Sequence, residues 1–130
     1  MKVKSGIIAN GLQTIISFAE KPMKVTLAAK LLRLADDLTK ENEIIEKQRR
    51  LILEKYADKD ENGQLIVENG NVNFKEKENL QAAQKELDEL ANLEVDIKDR
   101  EITEEELINA NLEITLNQLV ILKNFLHVNE

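Results

Sequence analysis

The chain contains no cysteine and no tryptophan, and only one tyrosine and three phenylalanines among its 130 residues. Without cysteine it can form no disulfide, no thiolate metal site and no thiol nucleophile. So few aromatic side chains provide no stacking platform for single-stranded nucleic acid. The core is therefore predicted to be aliphatic, and the 42% content of hydrophobic residues favours a folded domain over a disordered acidic tail.

Long apolar runs are also absent. No stretch approaches the roughly 18–20 apolar residues that are needed to cross a bilayer. Lys2 and Lys4 precede an Ile7–Ile8 pair as in a secretory signal, but Asn10 and Gly11 interrupt the apolar run. We predict a soluble, cytoplasmic chain without a membrane segment.

Proline occurs once, and Pro22 separates two predicted helices. Before it, apolar residues three and four positions apart predict a short helix from about Ile7 to Ala19, with Ile16 widening its apolar face. After it, neither glycine nor proline occurs from about Val25 to Tyr56, which predicts one helix of 32 residues. Such a helix is about 48 Å long, so it must extend beyond a compact domain of this size or be covered by another helix.

An apolar residue recurs every seven positions along this long helix, as in a coiled coil. Glu41 and Gln48 occupy positions of the companion seam where a continuous coiled coil has apolar residues. We therefore predict that the first half of the helix lies in the core and that the second half packs on a single partner, with self-association through the helix as an alternative. The repeating residues are Leu31, Leu38, Ile45 and Ile52.

A second helix and a hairpin complete a predicted arm. Apolar residues at helical spacing predict a helix from Lys75 to Ala91 that returns along the long helix. The Asn69-Gly70 pair lies between two short apolar runs, which is the strongest local signal for a β-hairpin. We predict a single domain over residues 1–130, with the arm at about 25–91, its hairpin at 64–74 and the base at 1–24 and 92–130.

The base is predicted to contain a small sheet and two capped helices. Residues 93–98 alternate apolar and polar side chains, which predicts a strand that pairs with Met1–Lys4. Thr103 with Glu106 three residues later has the pattern of a capping box, and Thr115 can cap a last helix. The predicted fold class is therefore mainly α (α+β): a long antiparallel helical arm with a β-hairpin tip, packed on short terminal helices and a two-stranded β element.

Charge is divided unevenly along the chain. Residues 1–57 have 11 basic and 7 acidic side chains, a net charge of +4, whereas residues 58–130 have 7 and 18, a net charge of −11. Residues 85–106 alone have a net charge of −7, which equals that of the whole chain. Because such a concentration can steer a basic partner, we predict that an acidic strip binds a partner protein. The acidic strip comprises Glu86, Asp88, Glu89, Glu94, Asp96, Asp99, Glu101, Glu104, Glu105 and Glu106.

The segment Asp58–Gly63 matches the first half of a calcium-binding loop. Its twelfth position is Asn69, where such a loop needs a bidentate glutamate, and Glu68 lies one residue too early. A polar turn with Gly63 at positive φ is the preferred interpretation, and calcium binding stays open.

No catalytic constellation is recognisable in the sequence. Adjacent carboxylates such as Asp36 and Asp37 point about 100° apart on a helix, and the only histidine, His127, has no evident partner. Glutamates at helical spacing surround the basic cluster Lys47–Arg50, and the net charge of −7 opposes phosphate binding. We predict that the chain is not an enzyme, has no catalytic, cofactor-binding or metal-binding residues, and does not bind nucleic acid directly.

Several segments together carry a family resemblance. They are the connector Lys21–Val25, the run Leu53–Tyr56 that leads into Asp58–Gly63, and the acidic passage Glu86–Ile97 that precedes an apolar C-terminal segment. This layout, which covers most of the chain, resembles a small family of proteins from phages and prophages of Gram-positive bacteria. That family has no assigned activity, so the resemblance implies a phage-like origin rather than a mechanism.

Two functions are expected from these features. The first is a non-enzymatic phage-like protein that binds a phage or host protein through its helical arm and its acidic strip, in particle assembly or host takeover. The second is an acidic inhibitor that mimics nucleic acid and occupies the groove of a host defence nuclease. The expected location is the host cytoplasm, with the virion as an alternative for the first function.

Overall fold

The computed structural model describes residues 1–127 and shows a mainly α fold with two small antiparallel sheets, as predicted. Short 3₁₀ turns at Ser5–Ile7 and Lys123–Phe125 adjoin the first and last helices. The elements are β1 (Lys2–Lys4), α1 (Ile8–Ile16), α2 (Val25–Tyr56), β2 (Val67–Glu68), β3 (Asn71–Val72), α3 (Lys77–Asn92), β4 (Glu94–Asp96), α4 (Glu104–Asn109) and α5 (Leu116–Leu122).

The long helix α2 runs over the predicted residues and has two different halves. All of its buried residues lie in the first half, where they pack against α1 and the C-terminal segment. Beyond Leu38 the helix contributes no fully buried side chain, and its contacts there are mainly with α3. The prediction of a core half and a half packed on one partner is therefore confirmed. The buried residues of α2 are Leu27, Leu31, Leu34 and Leu38.

The base is held together by one aliphatic core with two phenylalanines in it. Ile8 of α1, Leu122 of α5 and Phe125 of the last 3₁₀ turn are almost completely buried, and they close over the first half of α2. Burial of this kind is the dominant stabilising contribution in a chain without disulfides.

Strand β1 pairs with β4 as predicted. The antiparallel register places Lys2 opposite Asp96 and Lys4 opposite Glu94, so the basic start of the chain lies beside the acidic strand. Val3, between the two lysines, turns its side chain into the core. The sheet therefore joins the first residues of the chain to the segment that follows the arm.

The arm consists of the second half of α2, the hairpin β2–β3 and the returning helix α3. The hairpin turn has positive φ at both Asn69 (54°) and Gly70 (81°), the geometry that the Asn-Gly signal predicts. Ala83 and Leu90 are the buried residues of α3. Helix α3 ends at Asn92, one residue beyond the predicted end.

Ser5 fixes the end of the arm onto the base. Its backbone N–H donates to the carbonyl oxygen of Leu93 at 2.8 Å, and its buried hydroxyl donates to the carbonyl oxygen of Leu90. The Leu90 carbonyl lies in the last turn of α3 and the Leu93 carbonyl directly follows the helix, so both bonds hold the end of α3 against the first turn of the chain. The direction in which the arm leaves the base is thereby set by the first turn of the chain.

Both helix starts predicted in the base are confirmed. Thr103 and Glu106 form a complete capping box at α4, with the Glu106 N–H 3.1 Å from Thr103 Oγ1. Thr115 caps α5, and Gln118 completes a second capping box there, which the sequence analysis did not anticipate.

One detail of the helix prediction is wrong. Ile16 does not widen the buried face of α1, because 58% of its surface is exposed. Ile16 lies about 100° around the helix from the buried Ile15. Its side chain therefore points away from the narrow interface between α1 and α2.

Candidate functional site

An open groove of about 370 Å³ runs along the arm between the second half of α2 and the end of α3. We call it the arm groove. Helix α2 supplies one wall, and α3 with the first residue after it supplies the other. The residues that line it are Gln48, Leu51, Ile52, Glu86, Glu89, Leu90 and Leu93.

Apolar side chains are exposed in and beside this groove. Leu51 on α2 is 65% exposed and Leu93 at the end of α3 is 55% exposed. Ile44, also on α2, is 52% exposed and lies seven residues before Leu51, so the two share one face of the helix. The arm therefore presents an apolar stripe that no other part of residues 1–127 covers.

Glu86 is the acidic residue most closely built into the groove. Its Oε1 lies 3.3 Å from Nζ of Lys55 across the arm, and the Lys55 ammonium lies 4.9 Å from the centre of the Tyr56 ring. The nearby Tyr56 hydroxyl and then the Lys55 ammonium lower the pKa of the Glu86 carboxyl, against the opposing effect of partial burial. The Glu86 side chain is therefore a carboxylate at neutral pH.

The second oxygen of this carboxylate is buried beside the Tyr56 hydroxyl. Oε2 of Glu86 is buried and accepts no hydrogen bond of normal geometry from any of residues 1–127, although the Tyr56 hydroxyl lies close to the carboxyl group. Buried carboxylate oxygens are almost always hydrogen-bonded in folded proteins. The Tyr56 hydroxyl, which lies beside this carboxyl group, is the donor within the protein that can satisfy it after a small side-chain adjustment.

Four members of the acidic strip are paired within the protein. Besides Glu86, Asp96 Oδ1 lies 3.3 Å from the N-terminal ammonium group, Asp99 Oδ2 lies 2.6 Å from His127 Nδ1, and Glu106 Oε1 lies 2.8 Å from Lys30 Nζ. Asp96, Asp99 and Glu106 thus pair within the base and Glu86 pairs within the arm, so the charge of each is partly compensated inside the protein.

The side-chain carboxylates of the other six members have no cation within 4.0 Å among residues 1–127. Glu89 lines the arm groove, whereas Asp88 projects from the opposite side of α3 and the rest lie on β4 and around the start of α4. The structure thus brings Glu86 and Glu89 together at an apolar groove and distributes the remaining acids over the surface. The six residues are Asp88, Glu89, Glu94, Glu101, Glu104 and Glu105.

The comparisons with known proteins identify no relative. No protein-family model matches the chain, and neither a curated protein nor a solved structure does. The arm groove and the acidic strip are therefore the features of the molecule that bear on its function.

The loop between β4 and α4 is tied to the rest of the base by contacts that the sequence analysis missed. His127 bonds to Asp99 through its ring and donates its backbone N–H to the carbonyl oxygen of Ile102 at 2.7 Å. Arg100 makes a bidentate ion pair with Asp37 of α2, with N–O distances of 2.8 and 2.9 Å. His127 thus has the positioned partner that the sequence did not reveal. Because these partners are 28 and 63 residues apart, no local pattern signals either pair.

The turn at Asp58–Gly63 uses its carboxylates to fold the backbone. Asp60 Oδ1 accepts hydrogen bonds from the N–H groups of Asn62 and Gln64 at 2.8 and 3.0 Å, and Gly63 has the predicted positive φ of 77°. Within residues 1–127, no group of three or more histidine, aspartate and glutamate residues is arranged to hold a metal ion. The turn serves as the entrance to the hairpin.

The two arginines of the basic cluster are paired along α2, the Arg50–Glu54 pair at the helical spacing that was predicted. Arg50 Nε lies 3.0 Å from Glu54, and Arg49 lies 3.8 Å from Glu46.

Among the helices of residues 1–127, none combines the length and the apolar character that a membrane-spanning helix needs.

The ion pairs of the base predict a loss of stability in acid. Lys30 lowers the pKa of Glu106, and the hydrogen bond from His127 lowers the pKa of Asp99. Because both folded-state pKa values lie below those of the unfolded chain, about 4 for such carboxyls, their stabilisation is present above that pH and is lost as the pH falls through the folded values. We expect the thermal midpoint to stay nearly constant down to about pH 5 and to fall steeply below about pH 4.

Glu106→Gln is the matched variant for this pH profile, because glutamine at this position can keep the capping box while it removes the charge. Its thermal midpoint should lie below that of the wild-type protein at pH 7 and approach it at pH 3. Parallel curves over the whole pH range would show that the Lys30–Glu106 pair does not contribute.

Proposed function

We propose that the chain is a non-enzymatic protein-binding module that engages its partner through the arm groove and the exposed part of the acidic strip. The observation that carries this proposal is the exposed apolar stripe of Ile44, Leu51 and Leu93, with Glu86 and Glu89 beside it. Exposed apolar patches with a polar rim are typical of interaction sites on soluble proteins.

The charge of the strip supports the same function. Six carboxylates without an internal cation give the protein a negative field that accelerates the approach of a basic surface and weakens with added salt. The apolar groove then supplies the short-range contacts that hold the partner. The acidic strip thus attracts the partner, and the arm groove retains it.

The resemblance to phage and prophage proteins supports a biological setting for this binding. We propose that the partner is a phage or host protein and that binding serves particle assembly or host takeover, in the host cytoplasm or on the virion.

The test is capture of the partner from a lysate of phage-infected Gram-positive cells with the purified chain as bait. The Leu51→Gln variant removes apolar contact from the groove, and Leu116→Gln is the matched control because Leu116 is 79% exposed on α5, outside the groove. A protein retained by wild type and by Leu116→Gln, but at least tenfold depleted with Leu51→Gln, is the expected result.

Capture at increasing salt concentration and in the presence of competing DNA provides two further tests. Raising the ionic strength from about 0.1 M to 0.5 M should weaken capture, because exposed charges are screened within a few ångströms at high salt. Equal capture by both variants at every salt concentration would refute the role of the groove. Displacement of the partner by duplex DNA would instead favour the nucleic-acid-mimicking inhibitor.

A further inference from the structure

We infer that Asn69 is a site of spontaneous covalent modification, where attack by the backbone nitrogen of Gly70 converts the side-chain amide to a carboxylate. Two observations carry this inference: the exposure of the hairpin turn, and a Gly70 N–H that donates to no acceptor among residues 1–127. The inference is independent of the proposed function, because no residue of the hairpin β2–β3 lines the arm groove.

Three of the four glycines in the chain directly follow an asparagine. Because glycine has no side chain, its backbone nitrogen is accessible to the carboxamide carbon of the asparagine before it. The second and third of these dipeptides are both preceded by glutamate, so any difference in reactivity between them has to come from the fold. The dipeptides are Asn10-Gly11, Asn62-Gly63 and Asn69-Gly70.

The reaction forms a bond between the glycine nitrogen and Cγ of the asparagine, and it breaks the bond from Cγ to the side-chain nitrogen. Ammonia leaves with the proton that the glycine N–H has lost. Water then opens the cyclic imide at either of its two carbonyl carbons, which leaves aspartate or isoaspartate. The first step therefore needs a peptide group that can rotate and an N–H that is free to lose its proton.

The fold protects two of the three sites. Gly11 is buried within α1, so rotation of the peptide that precedes it would break the helix. The Gly63 N–H donates to the carbonyl oxygen of Asp60 at 3.0 Å, and the Asn62 N–H donates to Asp60 Oδ1 at 2.8 Å. A hydrogen bond of ordinary net strength slows a step that must break it by about two- to tenfold.

The Asn69-Gly70 peptide lacks this protection. Both residues are exposed, and apart from the neighbours in the chain no atom of residues 1–127 lies within 4 Å of the position that a Cβ of Gly70 would occupy. The Gly70 N–H makes no hydrogen bond within the part of the chain that the structure describes. Only two residue pairs join the strands that carry the turn, so the turn can open at little cost.

The two products should affect the arm differently. Aspartate keeps the turn, because Asp-Gly fits the same geometry as Asn-Gly, and it adds one negative charge. Isoaspartate adds a methylene group to the backbone of a two-residue loop and should separate β2 from β3. Below the turn, the Asp58 N–H donates to the Asn73 carbonyl at 2.8 Å and the Lys75 N–H donates to Asp58 Oδ2 at 2.9 Å. These bonds do not involve the turn, so the change should stay local.

The test is peptide mapping by mass spectrometry of the full chain after incubation at mildly alkaline pH, with and without denaturant. The denatured sample gives the rates that the sequence alone sets, and circular dichroism confirms that the other sample stays folded. In the folded protein we expect Asn69 to convert at least threefold faster than Asn62, and Asn10 to stay intact. The ratio of the Asn69 rate to the Asn62 rate should be at least threefold higher in the folded than in the denatured chain.

Asn69→Gly is the matched variant, because Gly-Gly also fits this turn and has no amide to lose. It should remove the fastest release of ammonia from the folded protein, whereas Asn62→Ser should leave that release unchanged. Conversion of Asn62 as fast as Asn69 in the folded protein would overturn the inference. So would an Asn69 that stays intact in the folded chain, or a rate ratio that is the same with and without denaturant.

Discussion

Replacement of Leu38 by alanine is expected to lower the free energy of unfolding by about 2–5 kcal/mol, the range observed for large cavities in aliphatic cores. Leu38 is fully buried, where α2 passes under α1 and the C-terminal segment. It also lies next to Phe125, since both approach Gly11. A fully buried phenylalanine ring beside the cavity cannot easily move to fill it, so the effect should fall in the upper part of the range.

Leu51→Ala on the same helix should change the free energy of unfolding by less than about 0.5 kcal/mol, as is usual for exposed positions. Leu51 is 65% exposed, and alanine is at least as favourable as leucine within a helix. Denaturant titrations of the two variants make the comparison directly. The same leucine-to-alanine change thus distinguishes two halves of α2. The first half stabilises the fold, and the second half is the one that we propose binds a partner.

A loss of similar size for Leu51→Ala would contradict this division, because it would place Leu51 in an interface already buried in the free protein. Self-association through the arm would have that effect, and sedimentation measured at several concentrations would reveal it.

Local patterns in the sequence were sufficient for most of the fold. The absence of glycine and proline predicted the bounds of α2, and Asn69-Gly70 predicted the hairpin turn that the structure contains. The alternation after residue 93 predicted a strand, and its predicted pairing with Met1–Lys4 is present in the structure. Apart from that pairing, these features depend on residues close in sequence.

The candidate site was less predictable, because it depends on how distant segments face each other. Glu86 and Lys55 are 31 residues apart, and nothing in either segment indicates that they meet across the arm. Helical periodicity places Glu86 beside the apolar face of α3 and Asp88 away from it, but it does not show which residue of α2 lies opposite Glu86. The prediction that Ile16 widens the buried face of α1 was wrong for a related reason. The width of a buried helix face depends on the elements that pack against it.

The structure also shows that the members of the acidic strip have different roles. A net charge of −7 between residues 85 and 106 suggested a uniform surface, yet Asp99 and Glu106 are structural partners of His127 and Lys30. Reversal of Glu106 to lysine would therefore destabilise the base as well as test binding. Glu104 and Glu105, which have no internal cation, are the appropriate positions for charge reversal within the base.

Gly11→Ala is expected to destabilise the protein by about 1–3 kcal/mol, the usual cost of overpacking a core. By helix propensity alone the change should stabilise α1 by about 1 kcal/mol, because glycine is unfavourable inside a helix. A Cβ at this position, however, would lie 2.5 Å from Cε2 and 2.7 Å from Cζ of Phe125. The ring is 1% exposed and belongs to the core, so it cannot swing into solvent. Steric overlap therefore outweighs propensity.

A double-mutant cycle with Phe125→Leu identifies the cause. Leucine removes the ring atoms that meet the new Cβ, so Gly11→Ala should cost little in that background and can even be stabilising through helix propensity. The coupling between the two substitutions should be about 1–3 kcal/mol, as for residues in direct contact. Additive effects, or stabilisation by Gly11→Ala alone, would contradict the packing of α1 against the last turn of the base. That packing matters for the arm as well, because α1 directly follows the Ser5 turn that holds the end of α3 in place.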